Sequence, residues 1–122
     1  MSLVRTEPVT AHEDHRGALR KLWPGPVPGE VYAVELRPGT SRGHHLHTRG
    51  GEWFVALSGA PVLVVEDPAT GARERVDLRG LRARVEPGLA HALYAEAPAL
   101  VLALADLRPE DDETRPWPVT LP

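Results

Sequence analysis

Residues 39–59 read G-T-S-R-G-H-H-L-H-T-R-G-G-E-W-F-V-A-L-S-G, and the fold turns on this stretch. His45 and His47 stand one residue apart, Glu52 follows, and a glycine closes each end. In a β-strand the side chains at i and i+2 share a face. The spacing therefore predicts two imidazoles side by side, with His44 and Leu46 turned the other way. Residues 48–51 read as a turn. Glu52 opens a second, apolar strand over 53–57 and can swing its carboxylate toward the same rings. Two neutral imidazoles and one carboxylate on one face outline a divalent-metal site.

The rest of the chain bounds what such a site can belong to. A chain of 122 residues is one domain with room for a single core. Hydrophobic content of 42% is in the globular range. The 11 glycines and 13 prolines, with short apolar runs between them, favour strands and turns over long helices. A net charge of −3 gives no electrostatic case for nucleic acid as a partner. There is no cysteine, so any metal must be held by His and carboxylate. The first seven residues carry no apolar signal core and no run approaches membrane-spanning length. The expectation is a cytoplasmic protein with no membrane partner.

In chain order, residues 13–17 (E-D-H-R-G) form a polar turn, with Asp14 and Arg16 as a structural pair. Residues 24–28 (P-G-P-V-P) are a rigid loop. Residues 31–36 alternate, with Tyr32, Val34 and Leu36 on one face, as a half-buried strand does. Residues 62–66 are nearly all β-branched, and 67–71 (D-P-A-T-G) are a hairpin loop. Strand patterns follow over 73–78 and 81–85, and residues 99–105 are a long apolar strand. No segment shows a convincing helical period. Short strands at regular spacing predict an all-β fold in two sheets or a closed barrel, and a jelly-roll barrel satisfies its edges. Residues 62–65 and 100–104 are its expected core strands. The tail over 107–122 is acidic, then proline-rich, and reads as an arm along the surface or across a partner subunit.

The central stretch resembles the first cupin motif, G-x5-H-x-H-x4-E-x6-G, with Gly39, His45, His47, Glu52 and Gly59 in register. Residues 80–91 (G-L-R-A-R-V-E-P-G-L-A-H) are similar to the second motif, with Gly80, Gly88 and His91 in place. Its usual proline is shifted to Pro87, and its final Asn is Ala95. The resemblance implies a double-stranded β-helix and His91 as a fourth metal ligand beside His45, His47 and Glu52. It implies a single cupin domain over 1–122, with a core of roughly 30–106, an arm over 1–29 and a tail over 107–122. Asp14-x-Arg16-Gly17-x-Leu19 and Arg42-Gly43-x-His45-x-His47 are similar to the sugar-nucleotide cupins: 3,4-ketoisomerases, 3,5-epimerases and the C-terminal domain of capsular-polysaccharide epimerase/reductases. Glu113-Thr114-Arg115-Pro116 approaches the tail of the last group.

That likeness implies a metal-binding homodimer working on a nucleotide sugar. Arg42 would bind the diphosphate of the substrate. Ketoisomerases of the group use the paired His for acid–base work, which makes His45 and His47 candidates for catalysis as well. Tyr32 is a candidate acid, or a packing residue of the barrel rim. His12, His15 and His44 are expected in solvent, and Trp53 on the outer sheet or at a dimer interface. Three functions are open: an isomerase or epimerase of a nucleotide-linked keto sugar in polysaccharide or deoxysugar biosynthesis, another metal enzyme such as an Fe(II) oxygenase, or a non-catalytic small-ligand-binding module. The metal would be a divalent ion of the Zn, Mn, Ni or Fe type. A basic mouth with room for a diphosphate points to the first function, an apolar pocket to the second, and a filled pocket to the third.

Overall fold

Short apolar runs between Pro and Gly turns become twelve β-strands in the computed structural model, which describes residues 2–121. Met1 and Pro122, the ends of the expected domain, lie outside the described residues. Five strands form one antiparallel sheet, in the order β1 (Arg5–Pro8), β9 (Leu81–Val85), β6 (Glu52–Ser58), β11 (Ala99–Ala105) and β4 (Glu30–Leu36). Five more form a second, in the order β12 (Thr114–Pro116), β5 (Thr40–His47), β10 (Ala90–Ala95), β7 (Val62–Glu66) and β8 (Arg73–Asp77). The hairpin β2 (Thr10–Asp14) and β3 (Gly17–Lys21) stands apart from both. This is the expected jelly-roll barrel, and the one helical piece among the described residues is a single 3₁₀ turn at Pro109–Asp111.

Alternation sorts each strand between the barrel interior and an outer face. Val34, Leu36, Phe54, Leu63, Val65, Leu93 and Val101 meet in the central core. The intervening residues are apolar too, because both outer faces are covered. Val62, Val64, Ala90 and Ala92 are packed by Trp117, Val119 and Leu121 of the C-terminal tail. Trp53, Val55 and Leu104 are packed by Val9, Leu22 and Trp23 from the N-terminal segment. Strands buried on both faces read as continuous apolar runs, which is why 62–65 and 99–105 showed no alternation. Each fully buried Val or Leu contributes about 1.5–3 kcal/mol, so the two covers are a substantial share of the stability.

The tail thus lies along the surface of its own chain, one of the two places expected for it. β12 pairs with β5, Thr114 opposite His47 and Pro116 opposite His45. Trp117 N–H donates to the His44 carbonyl at 2.8 Å, and Val119 is only 5% exposed. The N-terminal segment likewise supplies β1 to the first sheet. His44 is not a solvent histidine: its Nδ1 accepts the Val119 N–H at 3.1 Å, and its Nε2 lies 2.9 Å from the Ser41 hydroxyl. Asp14 and Arg16 pair across an exposed turn, as expected.

One irregularity sets the site. His91 pairs with His45 but Ala92 pairs with Gly43, so β5 carries one extra residue, His44, at φ +56. Such a bulge shifts every following side chain to the opposite face. Gly43 is required there, since a Cβ would come 2.9 Å from the His91 carbonyl oxygen. Gly59, which closes the motif, sits at φ +77 with its missing Cβ 2.4 Å from the Pro98 carbonyl oxygen, so a side chain is excluded by both conformation and space.

Candidate functional site

The interior faces of β5, β6 and β10 bring His45, His47, Glu52 and His91 together, and one donor atom from each lies within 4.8 Å of the others. Alternation along β6 puts Glu52 in line with Phe54, at the end of the apolar column. Glu52 is 1% exposed and His91 3%. The rings of His45 lie 5.0 Å from His47 and 4.9 Å from His91, edge to face, while His47 and His91 are stacked at 5.9 Å. Gly88 N–H donates to the His47 carbonyl at 2.7 Å and ties the two motifs together.

Tyr32 donates to Oε2 of Glu52 at 2.5 Å. Oε1 of Glu52 faces Nε2 of His47, and Nε2 of His91 is 4.0 Å from it. Nδ1 of His91 is buried with no hydrogen-bond partner, and the buried Oε1 of Glu52 and Nε2 of His47 have none beyond each other. Buried polar atoms are almost always partnered, so orphans in one cluster mark a place for a further ligand. Two donors across an ion are at most about 4.4 Å apart, so the four residues fit a divalent cation after a small contraction. All four are hard or borderline donors suited to such an ion.

The charge states follow from burial and contacts. Burial pushes His91 down to about 3, so its ring is neutral throughout the physiological range. Burial, then the neighbouring His47, lowers His45 as well. His47 is raised: the Glu52 carboxylate outweighs burial, and Asp112 adds to it. Burial opposes the Glu52 anion, but His47, His91 and Tyr32 prevail and hold its carboxyl below the ordinary range. Burial, followed by the Glu52 charge, raises the Tyr32 phenol, which stays protonated.

A cavity of about 400 Å³ opens on one side of the cluster, lined by Tyr32, Val34, Arg42, His45, Phe54, His91 and Leu93 among others. Arg42 is three residues before His45, so strict alternation would turn it outward. The bulge at His44 brings it round, opposite Leu93 and into the same cavity. Beyond Arg42 runs a groove lined by Glu35, Arg37, Thr40, Ser41 and Arg42. On the other side of the cluster a cavity of about 250 Å³ is lined by Glu30, Tyr32, His47, Glu52, Asp112 and Thr114 among others.

The sequence reading missed Asp112, whose Oδ2 lies 2.9 Å from Nδ1 of His47. It is 65 residues away in an acidic run, and its one signal was the tail resemblance beginning at the next residue. Trp53 lies on the outer face of the first sheet, 5.5 Å from Trp23.

Comparisons with protein families and with curated proteins find no match to this sequence. Solved structures do match. ChmJ, a 3'-monoepimerase from Streptomyces bikiniensis in complex with dTDP-quinovose, is 22% identical with a TM-score of 0.78, over 91% of this chain and 68% of that one. A dTDP sugar isomerase from Desulfovibrio desulfuricans is 21% identical with a TM-score of 0.80, over 93% and 83%. A dTDP-4-dehydrorhamnose 3,5-epimerase from Sulfolobus tokodaii is 17% identical with a TM-score of 0.80, over 96% and 82%. What this chain shares with these proteins of dTDP sugars is the jelly-roll fold. Among the described residues no helix is long and apolar enough to cross a membrane.

The two shifted histidines act on stability in opposite directions. His91 contributes stability above its unfolded value near ~6.5 that is lost as pH falls toward its folded value. His47 contributes stability below ~6.5 that is lost as pH rises through its raised folded value. In chelator-treated protein, imidazole ¹⁵N spectra should show the His91 ring unchanged from pH 8 to pH 4, while His47 titrates above its ordinary value. A His91 ring that protonates near ~6.5 would contradict its burial.

Proposed function

We propose that this chain is an isomerase or epimerase acting on a nucleotide-linked keto sugar. The observation that carries the proposal is the cavity lined by Arg42 and Tyr32 together with two members of the cluster, His45 and His91. Its volume of about 400 Å³ falls in the usual small-molecule range. Of the three functions open to the sequence, a mouth carrying Arg42 and continuing into a groove with Thr40, Ser41 and the Arg37–Glu35 pair favours the first. The pocket is neither filled nor wholly apolar. The structural neighbours named above are proteins of dTDP sugars, which supports the same substrate class.

The reaction is removal of a proton alpha to the sugar's keto group, giving an enediolate, and return of a proton to the other face or to the neighbouring position. Arg42 would bind the diphosphate through paired N–H donors and set the sugar against the cluster. Tyr32 would shuttle the proton: its phenol oxygen takes it from the sugar carbon while its own hydrogen passes to Oε2 of Glu52, and the reverse transfer returns a proton to the enediolate. His45, His47, Glu52 and His91 would hold a divalent cation, which supplies a Lewis acid for the carbonyl oxygen. A second reading rests on His47. Its ring lies between Glu52 and Asp112, so as an imidazolium it is satisfied without any ion. In that case His45, neutral and facing the cavity, is the general base and Tyr32 the acid.

The chain is also proposed to form a homodimer. The hairpin β2–β3 is exposed along both strands, and an isolated two-stranded hairpin is marginal in water. β4 is an open sheet edge, and Leu19, Val27 and Val31 are exposed. Light scattering at micromolar concentration should give twice the chain mass of 13.3 kDa. A mass of one chain would remove this part of the proposal.

Calorimetry with thymidine- and uridine-diphosphate sugars tests the substrate. Arg42→Ala should weaken binding by about 1.5–3 kcal/mol, the scale of a charged hydrogen bond. No heat with any of these sugars would shift the assignment to the oxygenase or the binding module. Plasma emission separates the two chemistries. Wild-type protein soaked in Zn²⁺, Mn²⁺, Ni²⁺ or Fe²⁺ should retain about one equivalent, and Glu52→Gln should lose most of it without unfolding. An empty wild-type site after soaking assigns the chemistry to the metal-free His45 and Tyr32 pair.

A further inference from the structure

The cluster has a cavity on each of two sides, and the two differ in charge. His45 and His91 line the larger one, together with the Arg42 guanidinium. His47 and Glu52 line the smaller one, of about 250 Å³, with Glu30 and Asp112 beside them and no Lys or Arg among the described residues that line it. Tyr32 is shared by the two. Strand register accounts for the smaller cavity. Ala105 of β11 lies opposite Glu30 of β4 on one side and opposite Glu52 of β6 on the other. Directly opposed residues share a face of the sheet, so two carboxylates flank one methyl group in a row across three strands. Adjacent strands are about 4.8 Å apart, which leaves a gap of about 10 Å over Ala105 between the two glutamate strands. Glu52 is the buried end of this row and Glu30 the half-buried end. At the buried end, Oε1 of Glu52 and Nε2 of His47 have no hydrogen-bond partner beyond each other.

We propose that the smaller cavity is the port through which a divalent cation enters and leaves the cluster, separate from the cavity that Arg42 lines. The inference rests on the metal reading of the cluster. A cleft lined by charges of one sign concentrates the opposite ion and speeds its arrival by about 10- to 1,000-fold. Glu30 draws the ion in, and Glu52 and His47 receive it. The larger cavity offers a dication a guanidinium instead, and a sugar diphosphate held by Arg42 would close that way altogether. The smaller cavity has room for an ion with several of its waters, at roughly 30 Å³ each.

Stopped-flow mixing with Co²⁺ against a chromophoric indicator, and release into a chelator, give the association and dissociation rates. Ala105→Leu fills the gap between the two glutamates. A narrowed route raises the barrier to entry and to exit alike, so both rates should fall by the same factor while the equilibrium affinity stays as it was. Affinity lost without any slowing would mean that Ala105 only shapes the site, and that result overturns the proposal. Glu30→Gln keeps the size, removes the charge and leaves the packing of the barrel alone, so it decides the matter even if Ala105→Leu does not fold. Association at low salt should slow about 10-fold in Glu30→Gln, and its dependence on salt should flatten. Arg42→Ala distinguishes the two cavities, because entry past the guanidinium would be faster without it. A larger change of association rate in Arg42→Ala than in Glu30→Gln overturns the port, as do wild-type rates in Glu30→Gln, and in both cases the metal reading of the cluster stands. A wild-type chain that takes up no Co²⁺ overturns both together.

Discussion

The structure is built around a carboxylate that has been taken out of water. Glu52 lies at an interior position of β6, in the same column as Phe54, and is 1% exposed. An unpaired ion there costs several kcal/mol, more than any single apolar contact around it contributes. The surrounding side chains answer that cost. Tyr32 from β4 donates to one oxygen, and His47 and His91 bring their rings to the other. Three strands from two sheets are thus committed to one group, and the chemistry of the site is the chemistry of what satisfies Glu52.

The same requirement explains why the barrel is closed at this end by polar side chains and elsewhere by apolar ones. Leu63, Val65 and Val101 fill the interior, while the outer faces are covered by the two ends of the chain. The tail does more than cover. It binds the His44 carbonyl and ring on the outside of β5 and reaches the His47 ring through Asp112. One strand therefore carries the ligands on one face and the tail's attachment on the other.

Much of this was legible. The G-x5-H-x-H-x4-E-x6-G spacing gave the strand pair and three of the clustered residues, and the second motif gave His91. The strands over 31–36, 62–66 and 99–105 lie where period and composition put them. What was hidden depends on contacts distant in sequence. Arg42 faces the cavity because His44 is an extra residue in β5, and nothing in simple alternation announces a bulge. Asp112 is one acidic residue in an acidic run, distinguished only by what β12 pairs with. The tail reads as proline-rich and exposed, yet Val119 finds a buried seat against Val62 and Val64. His44 looked like a solvent residue because its partners, Ser41 and Val119, are a turn and a tail rather than a motif.

The order in which the chain is made gives β12 a further meaning. His45, His47, Glu52 and His91 are all synthesised before Asp112, and β5 has an open edge until Thr114–Pro116 lies against it. The full geometry of the site therefore draws on both ends of this order: the four clustered side chains come from the middle of the chain, and the carboxylate behind His47 is in place only where β12 lies against β5.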